Sequence, residues 1–254
     1  MPDLSGSTAI VTGGARGIGL AMARALAECG ASIGLIDLLA EVSDSAATLT
    51  KETGVAVAGV IADVRDAQAV EAAVEHLQQQ LGTADLLITS AGITIWGDST
   101  EVTPADWQQV LDINLSGTFY AAQSFARRLL ADGRRGSVIF VSSMSGRVVN
   151  IPQFQASYNS SKAAVSMLAK SLAVEWAPSG IRVNALEPGY TLSDMTRQFM
   201  DANPELAAQW TSLIPMGRMG EPADLVGAVT YLASSESSYL TGQSIVIDGG
   251  YTAI

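Results

Sequence analysis

Thr8-Ala9-Ile10-Val11-Thr12-Gly13-Gly14-Ala15-Arg16-Gly17-Ile18-Gly19 runs from a β-branched apolar stretch into a cluster of glycines, and Leu20-Ala21-Met22-Ala23-Arg24-Ala25-Leu26 follows it. The first five residues suit a buried strand. The last seven are strong helix formers, and Gly30 stops them. A strand, a tight glycine turn and a helix open a βαβ unit. Glycine lets the chain bend sharply there and lets another group approach the backbone. The helix N-terminus presents free N–H groups and a positive dipole end at the same point, a combination suited to a pyrophosphate.

The rhythm repeats outward from this turn. Residues 31–37, 55–61, 85–89, 137–141, 181–186 and 243–247 read as further strands, while helical spacing occupies 66–81, 104–131, 155–177 and 221–234. Continuous apolar strands alternating with helices predict a parallel sheet covered on both faces. Crossovers of this kind are right-handed, so the sheet is doubly wound. The expectation is one α/β domain over residues 1–254 with a seven-stranded parallel sheet. Thr103-Pro104-Ala105-Asp106 reads as a helix start, with Thr103 as N-cap and Pro104 at the first helical position. Segment 190–220 breaks the rhythm. It has helical, Met-containing sequence with Pro204 and Pro215, and it follows a strand's carboxyl end, where a substrate lid would sit.

Composition narrows the function classes. Of 254 residues, 48% are hydrophobic and 15% charged, ample for a large core. Asp and Glu outnumber Lys and Arg by 25 to 14, for a net charge of -11, which argues against a nucleic-acid partner. Cys29 is the one cysteine, so no internal disulfide forms, and a reduced thiol on a helix is expected. His76 is the one histidine. A catalytic zinc would need more ligands, so no metal site is expected, and a Ser-His-Asp hydrolase would rest on His76 alone. Neither a signal-like N-terminus nor a bilayer-spanning apolar run is seen, so a soluble cytoplasmic protein is the expectation, with no membrane partner.

Asp37 closes the second strand. A carboxylate there accepts hydrogen bonds from the two hydroxyls of an adenosine ribose and repels a 2′-phosphate, which favours NAD over NADP. Arg16 is the counter-signal, since it could pair with that phosphate. Asp63, at the end of the third strand, could hydrogen-bond an adenine amino group, or cap the helix that follows. Tyr158 and Lys162 stand at i and i+4 on a long helix, so the phenol and the ammonium share a face. A cation beside the phenol favours the phenolate, making Tyr158 a candidate general acid and base.

Taken in order, Thr12-Gly13-x-x-x-Gly17-x-Gly19, Ser90-Ala91-Gly92, Asn114, Ser143, Tyr158-x-x-x-Lys162, Pro188-Gly189 and Asp248-Gly249-Gly250 make the chain resemble the short-chain dehydrogenase/reductase family over essentially its whole length. The resemblance implies a Rossmann-type domain and hydride exchange between an alcohol or ketone substrate and a nicotinamide dinucleotide. Tyr158 would pass the proton, Lys162 would lower the Tyr158 pKa and bind the nicotinamide ribose, and Ser143 would hold the substrate oxygen. Asn114 would kink its helix and place a water beside Lys162. Cofactor contacts would come from Gly13, Arg16, Gly17, Ile18 and Gly19 at the first turn, and from Asp37, Leu38, Asp63 and Val64 at the next two strand ends. Ser90, Ala91 and Gly92 would follow, then Pro188, Gly189, Thr191 and Ser193. Ser90 stands where many relatives carry Asn, and Thr191 and Ser193 replace the usual residues beside the carboxamide. The helices at 104–131 and 155–177 would form a homotetramer interface, with the C-terminus at a second one.

Ser143-Met144-Ser145-Gly146-Arg147-Val148-Val149-Asn150-Ile151-Pro152-Gln153 is similar to the matching stretch of polyol dehydrogenases and of sorbose or xylulose reductases. Ser145, Asn150 and Gln155 could bind neighbouring substrate hydroxyls, and Asn150 and Gln155 could equally brace the loop. Trp96, Tyr190 and Met195 could form an apolar wall, though Trp96 would also suit the core. Trp107, Trp176 and Trp210 fit packing or interface roles. The rival expectations are an acyl-thioester ketoreductase, which would want a basic face for an acidic carrier, a general carbonyl reductase, and a non-catalytic dinucleotide sensor.

Overall fold

The computed structural model describes residues 2–254, apart from the side chains of residues 194, 195, 198 and 199. Seven parallel strands form one sheet: β1 (Thr8–Thr12), β2 (Ser32–Asp37), β3 (Val57–Ile61), β4 (Leu86–Thr89), β5 (Gly136–Val141), β6 (Ile181–Pro188) and β7 (Ser244–Ile247). Their order across the sheet is β3-β2-β1-β4-β5-β6-β7. β1 lies inside the sheet, with Thr12 opposite Ile36 of β2 on one side and Thr89 of β4 on the other. The chain therefore winds away from β1 in both directions, which opens a crevice at the carboxyl ends of β1 and β4.

Nine α-helices pack among the described residues: α1 (Gly17–Glu28), α2 (Val42–Thr53), α3 (Ala67–Leu81), α4 (Pro104–Leu111), α5 (Gly117–Ala131), α6 (Ala156–Trp176), α7 (Asp194–Ala202), α8 (Pro204–Ser212) and α9 (Val226–Ala233). Alternate residues of each strand serve the two faces. Ile10, Leu87, Val138 and Phe140 pack under α3, α5 and α6 with Leu77, Phe125 and Val165. Ala9, Val11, Leu35 and Ile139 pack under α1, α2 and α9 with Met22, Leu26, Leu49 and Val229. Both faces of the inner strands β1, β2, β4 and β5 are buried, so those strands are largely apolar rather than alternating.

Several expectations are refined. The run 42–53 is a helix that the sequence pattern does not reveal, because only Val42, Ala46 and Leu49 face inward. The expected helix over 104–131 is interrupted by a π turn at Asp112–Ser116, centred on Asn114. Its start follows expectation, since Thr103 Oγ1 accepts the Asp106 N–H at 3.1 Å and donates to the Asp106 carboxylate at 2.7 Å. Cys29 directly follows α1 and is buried, and burial pushes its thiol up, away from the reactive thiolate.

Segment 190–220 is pinched at its base. The Gly220 N–H donates to the Tyr190 carbonyl at 2.9 Å, and the Leu192 N–H donates to the Gly220 carbonyl at 2.8 Å. Within the loop, α7 and α8 rest on a small apolar cluster of their own, built on Trp210, Ile214 and Met219.

Candidate active site

The registers bring strand ends to one level: Asp37 pairs with Ile61, Thr89 with Phe140, Val141 with Leu186, and Pro188 with Ile247. The residues just past the ends of β2 to β6 line a common cleft of about 640 Å³. Gly13, Arg16, Gly17, Ile18 and Gly19 line it, as do Asp37, Leu38, Asp63 and Val64. Ser90, Ala91 and Gly92 line its centre, and Pro188, Gly189, Thr191 and Ser193 its far side. Of the expected substrate contacts, Ser145, Asn150, Gln155, Trp96 and Tyr190 line it too. Met195 lies outside the described residues.

The first turn is shaped for close approach. Gly13 has φ +67°, and a Cβ there would stand 2.6 Å from the Ala91 nitrogen; a Cβ on Gly19 would stand 2.1 Å from the Gly13 carbonyl oxygen. No side chain caps α1 after Arg16, and its first turn holds no acidic residue, so its leading N–H groups open into the cleft. Asp37 is held by the N–H groups of Ala15 at 3.0 Å and Leu39 at 3.1 Å, one on each oxygen, leaving a lone pair on each for a diol. The donors, the glycine cradle and this carboxylate fit a dinucleotide, with its pyrophosphate at α1 and its ribose at Asp37.

Asp63 does not cap the next helix. Asp66 does, accepting the N–H groups of Gln68 and Ala69. Asp63 is instead gripped by Arg65, with Nη2 to Oδ2 at 2.6 Å, and that hydrogen bonding holds its carboxyl below the usual range. The Ser90 N–H donates to the Thr12 carbonyl at 3.0 Å, so the substitution at this position keeps the loop fastened to β1. Ser193 caps α7 by accepting the Thr196 N–H at 3.2 Å.

Three groups from distant stretches converge beyond the cradle. Ser143 follows β5 and stands close enough to the Tyr158 phenol to pull its pKa down. Lys162, one turn on in α6, sits with Nζ 5.6 Å from the Tyr158 ring centre and donates to the Val141 carbonyl at 2.8 Å. Burial pulls the Lys162 ammonium down to about 8. Burial also pushes the Tyr158 phenol up, against the pull of Ser143, so desolvation rather than Lys162 sets the direction here. Asn114 is fully buried behind the cleft wall. Its amide donates to the Ile93 carbonyl at 2.9 Å and to Ser161 Oγ at 3.0 Å, and its oxygen accepts the Ile93 N–H at 2.8 Å. The π turn thus clamps the Gly92–Ile93 loop to α6, and such turns recur at functional sites.

The deep end is polar and braced. Ser143 Oγ donates to Ser145 Oγ at 3.1 Å, and Ser145 Oγ donates in turn to Asn150 Oδ1. Gln155 Nε2 reaches Asn150 Oδ1 at 3.3 Å and Asn159 Oδ1 at 3.0 Å. Asn150 and Gln155 therefore both line the cleft and brace the loop. Ser142 also lines the cleft, but its hydroxyl donates to the Lys162 carbonyl at 2.7 Å, a structural role. The outer wall is aromatic. Tyr190 stacks on Trp210 with centres 4.8 Å apart, and Trp96 meets Trp210 edge-on at 5.9 Å. Trp96 is 39% exposed and not a core residue. Trp210 packs as expected, buried with Ile214 and Met219, and it also lines the cleft, as does Gln153. No cluster of three or more His, Cys, Asp or Glu that could hold a metal forms among the described residues. Likewise, no helix there is long and apolar enough to cross a membrane.

Comparison with known proteins agrees with this geometry. A family described as enoyl-(acyl carrier protein) reductase matches residues 13–252. A galactitol 2-dehydrogenase (L-tagatose-forming) of Cereibacter sphaeroides is 45% identical over 98% of this chain and 96% of its own. A sorbose reductase of Candida albicans is 41% identical over 98% and 88%. The crystal structure of a gluconate 5-dehydrogenase from Burkholderia cenocepacia, in complex with NADP and tartrate, superposes with a TM-score of 0.93 at 34% identity, covering 99% of this chain and 97% of that one. Glycine cradle, strand-end carboxylate and converged Ser143, Tyr158 and Lys162, matched along nearly the full length, place the chain in the short-chain dehydrogenase/reductase family, whose members work with a nicotinamide dinucleotide.

Proposed function

We propose that the chain interconverts a sugar alcohol and the matching ketose, with NAD as its dinucleotide. The observation that carries this reading is the hydrogen-bonded set Ser143, Ser145, Asn150 and Gln155, all buried and all lining the cleft. Buried polar groups in a binding site favour a substrate that brings hydroxyls and penalise one that lacks them. The names of the galactitol and sorbose enzymes point the same way. Asp37 supports NAD, since a 2′-phosphate there would face a fixed carboxylate.

When bound, the dinucleotide supplies the hydride acceptor for oxidation and the donor for reduction. Tyr158 Oη takes the substrate hydroxyl proton in oxidation and returns it in reduction. Ser143 fixes the substrate oxygen beside that phenol. Lys162 carries the positive charge that steadies the phenolate once the proton has moved. Asn114 holds the loop and α6 in one frame, and the sugar chain lies along Ser145, Asn150 and Gln155 toward the aromatic wall. Segment 190–220 closes over it as a lid. The exposed Met167 and Val174 on the outer face of α6 support a homotetramer, which light scattering would test.

A panel of polyols and ketoses, followed by reduced-nicotinamide absorbance with each coenzyme, tests the reading. Turnover of several polyols with NAD is expected. Preference for an acetoacetyl thioester over every polyol would replace it with a ketoreductase, and preference for NADPH would show that Arg16 outweighs Asp37.

A further inference from the structure

Gln153 ties the loop before α6 to the 190–220 segment. Its Nε2 donates to the Tyr190 hydroxyl at 2.9 Å, and its Oε1 accepts from Trp210 Nε1 at 2.9 Å. Tyr190 begins the 190–220 segment and Trp210 lies on α8 within it, whereas Gln153 belongs to the loop before α6. The two rings so held are stacked at 4.8 Å with 17° between their planes. Tyr251 meets Tyr190 edge-on at 5.7 Å, so the pair is fixed from behind as well. Gln153 is 8% exposed, and what remains exposed lines the cleft.

A carboxamide carries two N–H donors and two acceptor lone pairs. Among the described residues, one donor goes to Tyr190 and one lone pair receives Trp210. One of each is left for a ligand hydroxyl, in either donor sense. Stacked aromatic faces beside such an amide suit the alternating C–H and O–H edges of an extended polyhydroxylated chain. The amide stands outside the Ser143 to Gln155 hydrogen-bond chain and bonds to the aromatic wall instead, so it serves a part of the cleft other than the Ser143–Tyr158 pair.

Resting on the polyol reading above, we propose that Gln153 is a specificity-determining residue: it reads a substrate hydroxyl remote from the reacting carbon and holds the Tyr190–Trp210 wall in place for the carbon chain. It acts on binding, and its loss shows in KM before kcat. Burial pushes the Tyr190 phenol up to about 12, so it stays neutral across the working pH range.

The test compares wild type, Gln153→Leu and Gln153→Glu on a six-carbon polyol and on 2-butanol, which has no second hydroxyl. Leu removes both bonds. Glu keeps the size and the acceptor for Trp210 but lacks the N–H groups. In both variants kcat/KM for the polyol should fall about 10- to 100-fold, mostly through KM. The loss on 2-butanol should be at least tenfold smaller. Thermal melting and NADH titration, which report folding and the dinucleotide site, complete the comparison. Equal losses on the two alcohols in an active enzyme would overturn this role and leave the polyol reading standing. A wild type that binds NADH yet oxidises 2-butanol and no polyol would overturn both. If Gln153→Leu fails to fold, Gln153→Glu decides by the same ratio.

Discussion

Lys162 Nζ and the Val141 carbonyl are 2.8 Å apart, a bond that anchors the N-terminal part of α6 to the end of β5 and keeps the ammonium over the Tyr158 ring. The proton-handling group is therefore set by the sheet itself rather than by a flexible loop. Tyr158→Phe keeps the ring packing and removes the proton carrier. Turnover should fall at least about 100-fold while NADH binding, measured by fluorescence titration, stays within a few-fold of wild type.

The pH response follows from the same pair. Oxidation of the alcohol needs the phenolate, so its kcat/KM should rise with pH, and ketone reduction, which needs the phenol, should fall. Replacing Lys162 with Met removes the charge that favours the phenolate, and the rising limb should move to higher pH. A profile unmoved by Lys162→Met would remove Lys162 from the proton chemistry.

Lys162 also leaves a mark on stability. Its folded pKa, about 8, lies below the ordinary 10.5. The fold therefore disfavours the charged form, and the cost is present below about 8 and relieved as pH rises from 8 toward 10.5. The melting temperature of Lys162→Met minus that of wild type should decrease from pH 7 to pH 10. A difference that is flat or rising across this window would contradict the burial effect.

Asp37→Ser should exchange coenzyme preference. Removing the carboxylate takes away the ribose acceptor and the repulsion of a 2′-phosphate, while Arg16 remains beside it. The ratio of kcat/KM for NAD over NADP should drop about 100-fold, and steady-state assays with both coenzymes measure it.

Asn114→Leu leaves the Ile93 N–H and carbonyl and the Ser161 hydroxyl without their present partner in a buried place. Unfolding in urea should show a loss of about 3 kcal/mol. A change under about 0.5 kcal/mol would mean the clamp is energetically idle.

The seven strands were legible in the sequence because the inner ones are covered on both faces and carry consecutive apolar residues, as in Ala9-Ile10-Val11. Helix α2 was not legible, since Ala46 and its small neighbours make too thin an apolar stripe. The π turn at Asp112–Ser116 has ordinary helical composition and differs only in where its hydrogen bonds go. Ser143, Tyr158 and Lys162 were legible as an ordered set, and their positions past β5 and on α6 bring them together. Gln153 and Trp210 were not, because they lie 57 positions apart and only the folded excursion around α8 joins them. Asp63 pointed to two roles; the neighbouring Arg65 and Asp66 removed the capping one.

The pinch between Tyr190 and Gly220 has a consequence for how such enzymes diversify. Both ends of the excursion meet at one point just past β6, and Gln153 docks its middle, so its contents form a cassette. Exchanging residues 192–218 for the equivalent piece of a related enzyme would transplant a substrate preference while the dinucleotide cradle and the proton carrier stay where they are.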